Sequence, residues 1–287
     1  MERGADFMRS LDVEVITDAV DRLCRQACCQ LPEDVVRALE SAEERELPGS
    51  AAQSVLLQIL ENARLALDAR RPCCQDTGMA VVFLDIGTEV HLLGDVYKAV
   101  DAGVERAYRE GHMRASVLHP LTRRNTGNNT PAAVHVRLVP GGSTVLVQVA
   151  PKGFGSENKS RLIMLTPADG RRGVVEAIVE TVVQADACAC PPLVVGVGIG
   201  GTMEQAALLA KRQLLRPLGQ PALDEEVRAV EEEALARING LGIGPMGLGG
   251  KTTALSVQAA ALPTHIAGLP LAVNLCCHAC RHAAEVL

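Results

Sequence analysis

The sequence predicts a mixed α+β fold, in which a helical N-terminal segment precedes a mixed sheet with an antiparallel hairpin and flanking helices. Apolar residues recur at helical spacing through residues 10–70, and strand-like runs then alternate with further helical patterns. Two of those runs are joined by a Gly-Gly turn, which is typical of a hairpin. Interspersed helices and strands indicate a mixed architecture, and the lack of a repeat or linker predicts one domain over residues 1–287.

Three helices are predicted before residue 70. The first carries one apolar stripe, formed by Ile16, Val20, Leu23 and Ala27. The second begins near Pro32, because proline is favoured in the first helical turn. The third spans about 51–70, and its predicted inward stripe is formed by Leu56, Ile59, Leu60, Ala63 and Leu67.

The rest of the chain alternates strands and helices. A strand is predicted over 79–87, followed by a helix over 95–110 that Gly111 ends. The segments 132–140 and 143–151 predict the hairpin around Gly141-Gly142, and the KGFGSENKS segment predicts a loop. Further elements are helices over 174–187, 202–215 and 223–239, a strand within 191–201, and two strand-like segments near the C-terminus.

Composition argues against several classes of protein. The net charge is −6, no basic stripe is present, and the chain has no Trp, two Tyr and three Phe. Phosphate-backbone binding and base stacking are therefore not expected, so we predict no nucleic-acid partner. The N-terminus lacks the pattern of a signal peptide, and no apolar run reaches roughly 18 residues, so we expect a cytoplasmic protein without a membrane span.

The ten cysteines fall in four separated groups, three of them in turn-rich surroundings. Disulfides are not expected in a cytoplasmic chain, and the lack of paired CxxC motifs disfavours a zinc ribbon. Cys24 and Cys28 are four residues apart on the first predicted helix, and we interpret them as core residues. Separated thiols on turns suit a site that is assembled by tertiary folding.

Two glycine-rich segments imitate nucleotide-binding motifs. Gly196, Gly198 and Gly201 match GxGxxG between a strand and a helix, but outside a clear βαβ unit. The GPMGLGGKTT segment resembles a P-loop, but Pro245 stands where the first glycine is required. We expect neither segment to bind a nucleotide; an anion or a cluster facing the helix N-terminus is the surviving interpretation of the first.

Three cysteines lie beside turns and other polar groups. Cys74 precedes Gln-Asp-Thr-Gly, Cys190 precedes two prolines, and Cys277 lies between Asn274 and His278. An iron–sulfur cluster held by four thiolates suits electron transfer, whereas three thiolates leave one iron open as a Lewis acid. Each group contains further cysteines, so spacing alone does not select the ligands.

Five blocks occur in order along the chain: CQDTG (74–78), RASVLHPLTRRNTGNNTPA (114–132), KGFGSENKS (152–160), CPPLVVGVGIGGT (190–202), and GLGGKTTAL with PTHIAGLPLAVNLCCHACRH (within 247–282). These blocks resemble class I fumarate hydratase and, equally, the α subunit of L-tartrate dehydratase. The resemblance implies an enzyme, a [4Fe–4S]-dependent hydro-lyase α subunit that reversibly hydrates fumarate to (S)-malate. The alternatives are dehydration of tartrate to oxaloacetate, with mesaconate hydration as a variant.

The resemblance also implies roles for individual residues. Cluster ligands are Cys74, Cys190 and Cys277; catalytic residues are Gln75, Asp76 and His265; substrate-binding residues are Arg114 and Gly155. A guanidinium fork suits a carboxylate, and a histidine can move a proton near neutral pH. Structural alternatives stay open: Asp76 could cap a helix or a turn, Arg114 could be a surface or ion-pair residue, and His265 could be structural.

Other polar residues near these motifs have structural interpretations. Asn125, Asn128 and Asn129 are expected to build turns, and Lys152 and Lys159 to be surface lysines. Packing is the expected role of the remaining cysteines in the three groups, which are Cys73, Cys188, Cys276 and Cys280.

The chain departs from the family pattern at four positions, where charge or bulk changes. These departures affect the identity of the substrate more than the class of reaction. Phe154 stands for a usual glycine, Lys159 for methionine, His119 for aspartate and Asn128 for aspartate.

In the resembled family, the proton-abstracting residue and further cationic clamps lie in a second part, which is a separate β subunit in two-chain members. The resemblance therefore implies a β-subunit partner, a dimer of αβ pairs, a small dicarboxylate as substrate, and an inactive isolated chain. Two other classes remain. A non-catalytic iron–sulfur protein for electron transfer or sensing would need a fourth cysteine ligand, and a structural zinc protein would bind its metal tetrahedrally.

Overall fold

The computed structural model describes residues 8–287, and their contacts divide the chain into two compact units. Unit 1 contains the described part of Met1–Leu31, together with Leu65–Gly153 and Arg281–Leu287; unit 2 contains Pro32–Arg64 and Phe154–Cys280. The mixed α+β fold is confirmed, and the single domain over 1–287 stays a prediction. No helix within residues 8–287 is long and apolar enough to cross a membrane.

Unit 1 is built on a four-stranded mixed sheet with two helices on one face. Its sheet order is β10-β5-β2-β4, with β2 parallel to β4 and antiparallel to β5, and a separate parallel pair joins β1 and β3. The elements are β1 (Arg9–Asp12), α1 (Glu14–Cys29), β2 (Met79–Gly87), β3 (Val90–Leu93), α4 (Val96–Glu110), β4 (Ala133–Val139), β5 (Val145–Lys152) and β10 (Ala283–Val286).

The predicted hairpin is wrong, because β2 lies between β4 and β5. β2 is buried along nearly its whole length and takes a central position, whereas β4 is mostly exposed and forms an edge. The Gly-Gly turn crosses the end of β2: the N–H of Gly87 donates to the Thr144 carbonyl at 3.0 Å, and that of Glu89 donates to Gly142 at 3.2 Å. The Gly-Gly turn does connect β4 to β5, but β2 lies between these two strands in the sheet.

The core of unit 1 confirms the predicted stripe of α1. Its four predicted residues are buried against β2, β5 and α4, together with Cys24 and Cys28. Gly103 in α4 allows close approach of the two helices, since a Cβ there would lie 2.6 Å from the Thr17 carbonyl oxygen of α1. The cysteines of α1 are therefore core residues, as predicted.

Unit 2 has a four-stranded sheet of order β6-β9-β7-β8, with helices on both faces. α6 and α8 share one apolar core with the sheet, while α7 packs on the other face. The elements are α2 (Glu33–Arg45), α3 (Ala51–Ala69, of which 51–64 belong here), α5 (Phe154–Glu157), β6 (Arg161–Leu165), α6 (Gly170–Ala185), β7 (Leu193–Gly200), α7 (Met203–Gln213), α8 (Glu225–Asn239), β8 (Ala254–Leu262) and β9 (Leu269–Cys276).

Two local predictions in these segments need correction. Helix α3 buries Leu56 and Ile59 as predicted, but Leu67 is 48% exposed and Ala66 occupies the inward position. The predicted KGFGSENKS loop contains the short helix α5.

Candidate functional site

The Cys74–Gly78 segment of unit 1 forms a turn that leads into β2. The Asp76 carboxylate accepts a hydrogen bond from the Gly78 N–H at 3.0 Å, and the Thr77 hydroxyl exchanges two hydrogen bonds of 3.1 and 3.2 Å with the backbone of Arg114. Gly78 has φ +76°, and a Cβ there would lie 2.6 Å from the backbone of Lys152. The turn therefore requires glycine, and it holds Arg114 beside Gln75 and Asp76. We call Cys74–Gly78 the CQDTG turn.

The side chains at this site differ in exposure. Gln75 and Arg114 are exposed, while Cys74 and Asp76 are half-buried. Within residues 8–287, the Arg114 guanidinium makes no ion pair, so the interpretation of Arg114 as an ion-pair residue finds no support. The Cys74 Sγ lies 3.5 Å from the Gln75 side-chain oxygen.

Buried hydrogen-bond donors support the carbonyl groups of the turn. The Tyr108 hydroxyl shares its single proton between the carbonyls of Thr77 (2.8 Å) and Gly78 (3.0 Å), and the Cys28 thiol lies 3.8 Å from the Thr77 carbonyl. Burial raises the pKa of Tyr108 well above its usual range and the pKa of Cys28 to about 12. Both groups therefore stay protonated, and remain donors, at neutral pH.

Two of the three asparagines, Asn125 and Asn128, build turns as predicted, whereas Asn129 joins separate segments of the chain. Asn129 is fully buried; its side chain donates to the Gly78 carbonyl at 3.2 Å and accepts from the Ser116 N–H at 2.7 Å. Asn125 and Asn128 accept backbone N–H bonds from residues two positions further along the chain.

Two buried cations lie next to the turn in unit 1. Lys152 is only 4% exposed, so its interpretation as a surface lysine is wrong: it ends β5, and its Nζ donates to the Gly153 carbonyl at 3.1 Å. Arg281 is 5% exposed and contacts Pro151, Asp76 and Cys73. Sequence reasoning missed Arg281, since its partners lie more than 100 positions away in the chain.

In unit 2, strand register brings Cys190 and Cys277 together. Val194 near the start of β7 pairs with Cys276 at the end of β9. The N–H of His278 donates to the Cys190 carbonyl at 3.3 Å, and its ring Nδ1 lies 3.2 Å from the same oxygen. Cys190 itself has φ +55°, at the end of a 3₁₀ helix over Asp186–Ala189. Two of the three predicted ligands are thus neighbours in this unit, while Cys74 belongs to unit 1.

The segment that carries Gly155 is tied to the same end of β9. Glu157 accepts from Lys211 of α7 at 2.5 Å and from Asn274 of β9 at 3.1 Å, and the Leu275 N–H donates to the Ser160 hydroxyl at 3.0 Å. Apart from its chain neighbours and the backbone of α5, no described atom comes within 4 Å of a Cβ built at Gly155. Open space there is compatible with a ligand approaching the backbone.

His265 lies at the opposite end of β9. Its Nδ1 accepts from the Ala267 N–H at 3.2 Å, and the neighbouring Thr264 hydroxyl donates to the Gly201 carbonyl at 2.9 Å, beyond the end of β7. The eight residues of β9 separate His265 from Cys277 by roughly 25 Å. His265 is exposed beside a cavity of about 490 Å³ that Arg171 and Ile199 also line. Unit 2 does not bring it to Cys190 and Cys277, so its catalytic role stays a prediction.

The cysteines differ in burial, and all ten are thiols. The three predicted ligands are half-buried, whereas Cys276 and Cys280 are buried in packing positions, as expected. Cys188 is exposed, so its interpretation as a packing residue is wrong. Across the described residues, no three side chains of His, Cys, Asp or Glu converge to hold a single metal ion.

The two glycine-rich motifs have structural roles. A Cβ at Gly196 or Gly198 would overlap backbone oxygens of α7, so these glycines let α7 pack directly on β7. In the second motif, the N–H groups of Lys251 and Thr252 donate to the buried carboxylate of Glu46, each at 2.9 Å. This loop therefore binds an anion that the chain itself supplies.

Two of the four departures from the family pattern also build turns. The His119 Nδ1 accepts from the N–H groups of Leu121 (3.3 Å) and Thr122 (3.1 Å), which an aspartate at this position would also do. Asn128 donates to Glu105 at 3.2 Å, which an aspartate could not do. Of the other two, Phe154 begins α5 with its side chain 46% exposed, and Lys159 is half-buried.

Comparisons with known proteins agree with these motifs. A protein provisionally named L(+)-tartrate dehydratase subunit alpha, from Methanocaldococcus jannaschii, is 41% identical over 275 residues, which cover 93% of this chain and 96% of the relative. L(+)-tartrate dehydratase subunit alpha from Escherichia coli strains UTI89 and K12 is 30% identical over 272 residues, which cover 94% of this chain and 89% of the relatives. The family model described as Fumarate hydratase (Fumerase) matches residues 17–286, and the chain therefore belongs to that family.

Proposed function

We propose that this chain is the α subunit of an iron–sulfur hydro-lyase that acts on a four-carbon dicarboxylic acid. The observation that carries the proposal is the CQDTG turn, which holds an exposed amide and a half-buried carboxylate and is hydrogen-bonded to the backbone of an exposed arginine. These are the groups that a hydroxy dicarboxylate needs for recognition. The family match over residues 17–286 supports the same class of reaction.

We propose Cys74, Cys190 and Cys277 as thiolate ligands of a [4Fe–4S] cluster. All three are half-buried thiols beside turns, and two are neighbours in unit 2, which fits a set of cluster donors. A cluster does not need three side chains that converge on one ion, because each thiolate binds a different iron. When bound, a cluster with one open iron supplies a Lewis acid for the hydroxyl group of the substrate.

In this proposal, side chains of this chain bind the substrate and form hydrogen bonds with its hydroxyl and carboxylate groups. Arg114 binds a carboxylate through its planar fork, since its backbone is fixed by Thr77 and its guanidinium is exposed. Gln75 forms a hydrogen bond with the hydroxyl or carboxylate of the substrate. The Asp76 carboxylate, which the Gly78 N–H orients, accepts a hydrogen bond from the substrate hydroxyl. Gly155 offers its backbone to the ligand. His265 is kept as a proposed polar residue of the reaction, supported by the family resemblance alone.

L(+)-tartrate is the proposed first substrate, and fumarate the second. The names of the relatives favour tartrate, whereas the family description favours fumarate, which was the expectation from the sequence motifs. Both conversions remove or add a hydroxyl group and a proton on adjacent carbons that bear carboxylates. The name of the α subunit supports a β-subunit partner. An α2β2 assembly and a cytoplasmic location belong to the same proposal.

Anaerobic reconstitution of the full chain with iron and sulfide tests the proposal. We expect visible absorption and, after reduction, a paramagnetic signal that L(+)-tartrate, fumarate or (S)-malate perturbs. The substitutions Cys74→Ser, Cys190→Ser and Cys277→Ser should each lower the bound iron, whereas Cys188→Ser, at an exposed thiol, should not. Failure to form a cluster, or retention of the cluster in all three variants, would contradict the proposal.

A further inference from the structure

The Arg281 guanidinium connects two segments of unit 1 that contain candidate site residues. Its Nε donates to the Pro151 carbonyl in β5 at 3.1 Å, one terminal nitrogen donates to the backbone carbonyl of Asp76, and the other lies 3.8 Å from the Cys73 Sγ. Arg281 is 5% exposed, so these contacts form away from bulk water. One planar group thus spans the end of β5 and the segment on both sides of Cys74.

The segment that Arg281 contacts has no regular secondary structure of its own. Residues 71–78 lie between α3 and β2 outside any helix or strand. The turn must nevertheless present Cys74, Gln75 and Asp76 in fixed positions, because catalytic geometry tolerates deviations of only about 0.5 Å. A buried side chain with several directional donors can supply that restraint from outside the turn.

Arginine is chemically suited to this position. Its five N–H donors lie in one plane and point in fixed directions, so a single side chain can satisfy acceptors on two segments. A lysine would keep the positive charge but concentrate it on one rotatable ammonium, which cannot reproduce the planar fork. Replacement of Arg281 by lysine therefore keeps the charge and removes the planar shape, which separates the two effects.

We propose that Arg281 is a positioning residue, which fixes the CQDTG turn against β5 so that Cys74, Gln75 and Asp76 keep their orientation. The role of the turn in catalysis rests on the proposed function, whereas the contact between Arg281 and the turn does not. Arg281 acts through the backbone of Asp76 and is not assigned to the substrate. Its removal should loosen the turn and weaken retention of iron by the chain.

Amide hydrogen exchange of the full chain tests the positioning role without any cluster. In Arg281→Gln and Arg281→Lys, we expect exchange in residues 73–78 to accelerate about tenfold or more, because local opening becomes easier, while β2 and α4 keep their protection. Arg22→Gln is the matched control, since Arg22 forms an exposed ion pair with Glu285 in the same unit. If exchange in 73–78 is unchanged in both variants, or accelerates equally through all of unit 1, the proposal is overturned.

Iron content after anaerobic reconstitution supplies the second measurement. Both Arg281 variants should retain severalfold less iron than the wild type and the Arg22→Gln control. Wild-type iron retention in variants whose turn exchanges faster would overturn the proposal. If the wild type also binds no iron, the proposed function fails, and the exchange measurement still decides whether Arg281 positions the turn. Should Arg281→Gln not fold, Arg281→Lys alone carries both measurements.

Discussion

Tyr108 is the residue that most directly supports the CQDTG turn from the core. Its hydroxyl donates to two carbonyls while the side chain is 3% exposed. In Tyr108→Phe, both carbonyls lose a buried donor, so we expect the free energy of unfolding to fall by about 1–3 kcal/mol. Urea unfolding measures this change. Tyr97→Phe is the control, because Tyr97 is 57% exposed, and a loss of equal size there would contradict the explanation.

The buried thiol of Cys28 makes stability depend on pH. Burial is the main cause that raises its pKa from 9.0 to about 12. The folded state therefore binds this proton more tightly than the unfolded state does. The contribution of this thiol to the free energy of unfolding is fully present below pH 9 and is lost as pH rises from about 9 towards 12. Where the unfolded chain has lost this proton and the folded chain keeps it, the free energy of unfolding falls by about 1.4 kcal/mol per pH unit.

Urea unfolding in reducing buffer between pH 9 and 10 checks this slope. The wild type should lose stability across the interval, and Cys28→Ala should show a shallower decline. Cys24 and Tyr108 also have raised pKa values, so some slope remains in the variant. Cys188→Ala removes an exposed thiol and should leave the slope unchanged. An identical slope in Cys28→Ala and the wild type would be the opposing result.

Individual residues show what a motif does and does not predict. The family resemblance assigned Arg114 to substrate binding, and Thr77 ties the Arg114 backbone to the CQDTG turn through two hydrogen bonds. The motif gave no hint of Tyr108 or Arg281, because their contacts depend on chain segments brought together by the sheet. Lys152 was misjudged for the same reason: lysine is usually exposed, but the paired end of β5 buries this one.

At the scale of elements, the Gly-rich loop before β8 depends on one carboxylate. Glu46 follows α2, is 4% exposed, and accepts from the N–H groups of Lys251 and Thr252. In Glu46→Ala, these N–H groups lose their acceptor, so we expect a loss of about 3 kcal/mol in the free energy of unfolding. Glu46→Gln keeps one acceptor oxygen and should lose less.

Thermal or urea unfolding of both variants measures the difference. Glu40→Ala is the matched control, because Glu40 is an exposed glutamate on the same helix, α2. Equal stability of Glu46→Ala and Glu40→Ala would show that the loop does not rely on Glu46.

The close contact between α7 and β7 leaves no room for a side chain at Gly198. A Cβ at Gly198 would overlap the Ala206 carbonyl oxygen, so Gly198→Ala must push the helix away from the strand. We expect a loss of about 1–3 kcal/mol or more, as for overpacked cores. Gly268→Ala is the control, since no atom of residues 8–287 lies within 4 Å of a Cβ there. Melting temperatures compare the two, and a neutral Gly198→Ala would disprove the packing role.

Elements were predicted well where local periodicity determines them. Helices α1, α4 and α8 follow their apolar spacing and end signals, with Asp95 and Asp224 as N-caps. Sequence reasoning missed strands β1, β3, β6 and β10, because each has only four or five residues and pairs with a distant segment. The hairpin failed because local turn chemistry does not reveal a third strand between its arms.

At the scale of the whole molecule, charge sets a further condition on activity. The chain carries a net charge of −6, and the proposed substrates are dianions. In the proposed function, the exposed Arg114 binds one carboxylate, but a dicarboxylate needs compensation at both ends, and proton removal beside a carboxylate needs further positive charge. In the proposed function, the cationic groups and the base that the family resemblance implies in a second subunit would meet this need.

We therefore expect the reconstituted chain alone to turn over L(+)-tartrate at least about a hundredfold more slowly than the same chain with the proposed β subunit. Oxaloacetate formation under anaerobic conditions measures both rates. The complex should also lose affinity for tartrate as ionic strength rises, because charge attraction is screened. In Arg114→Gln, the complex should show a raised KM with its cluster retained. Full turnover by the isolated chain would mean that its own residues supply both the second clamp and the base.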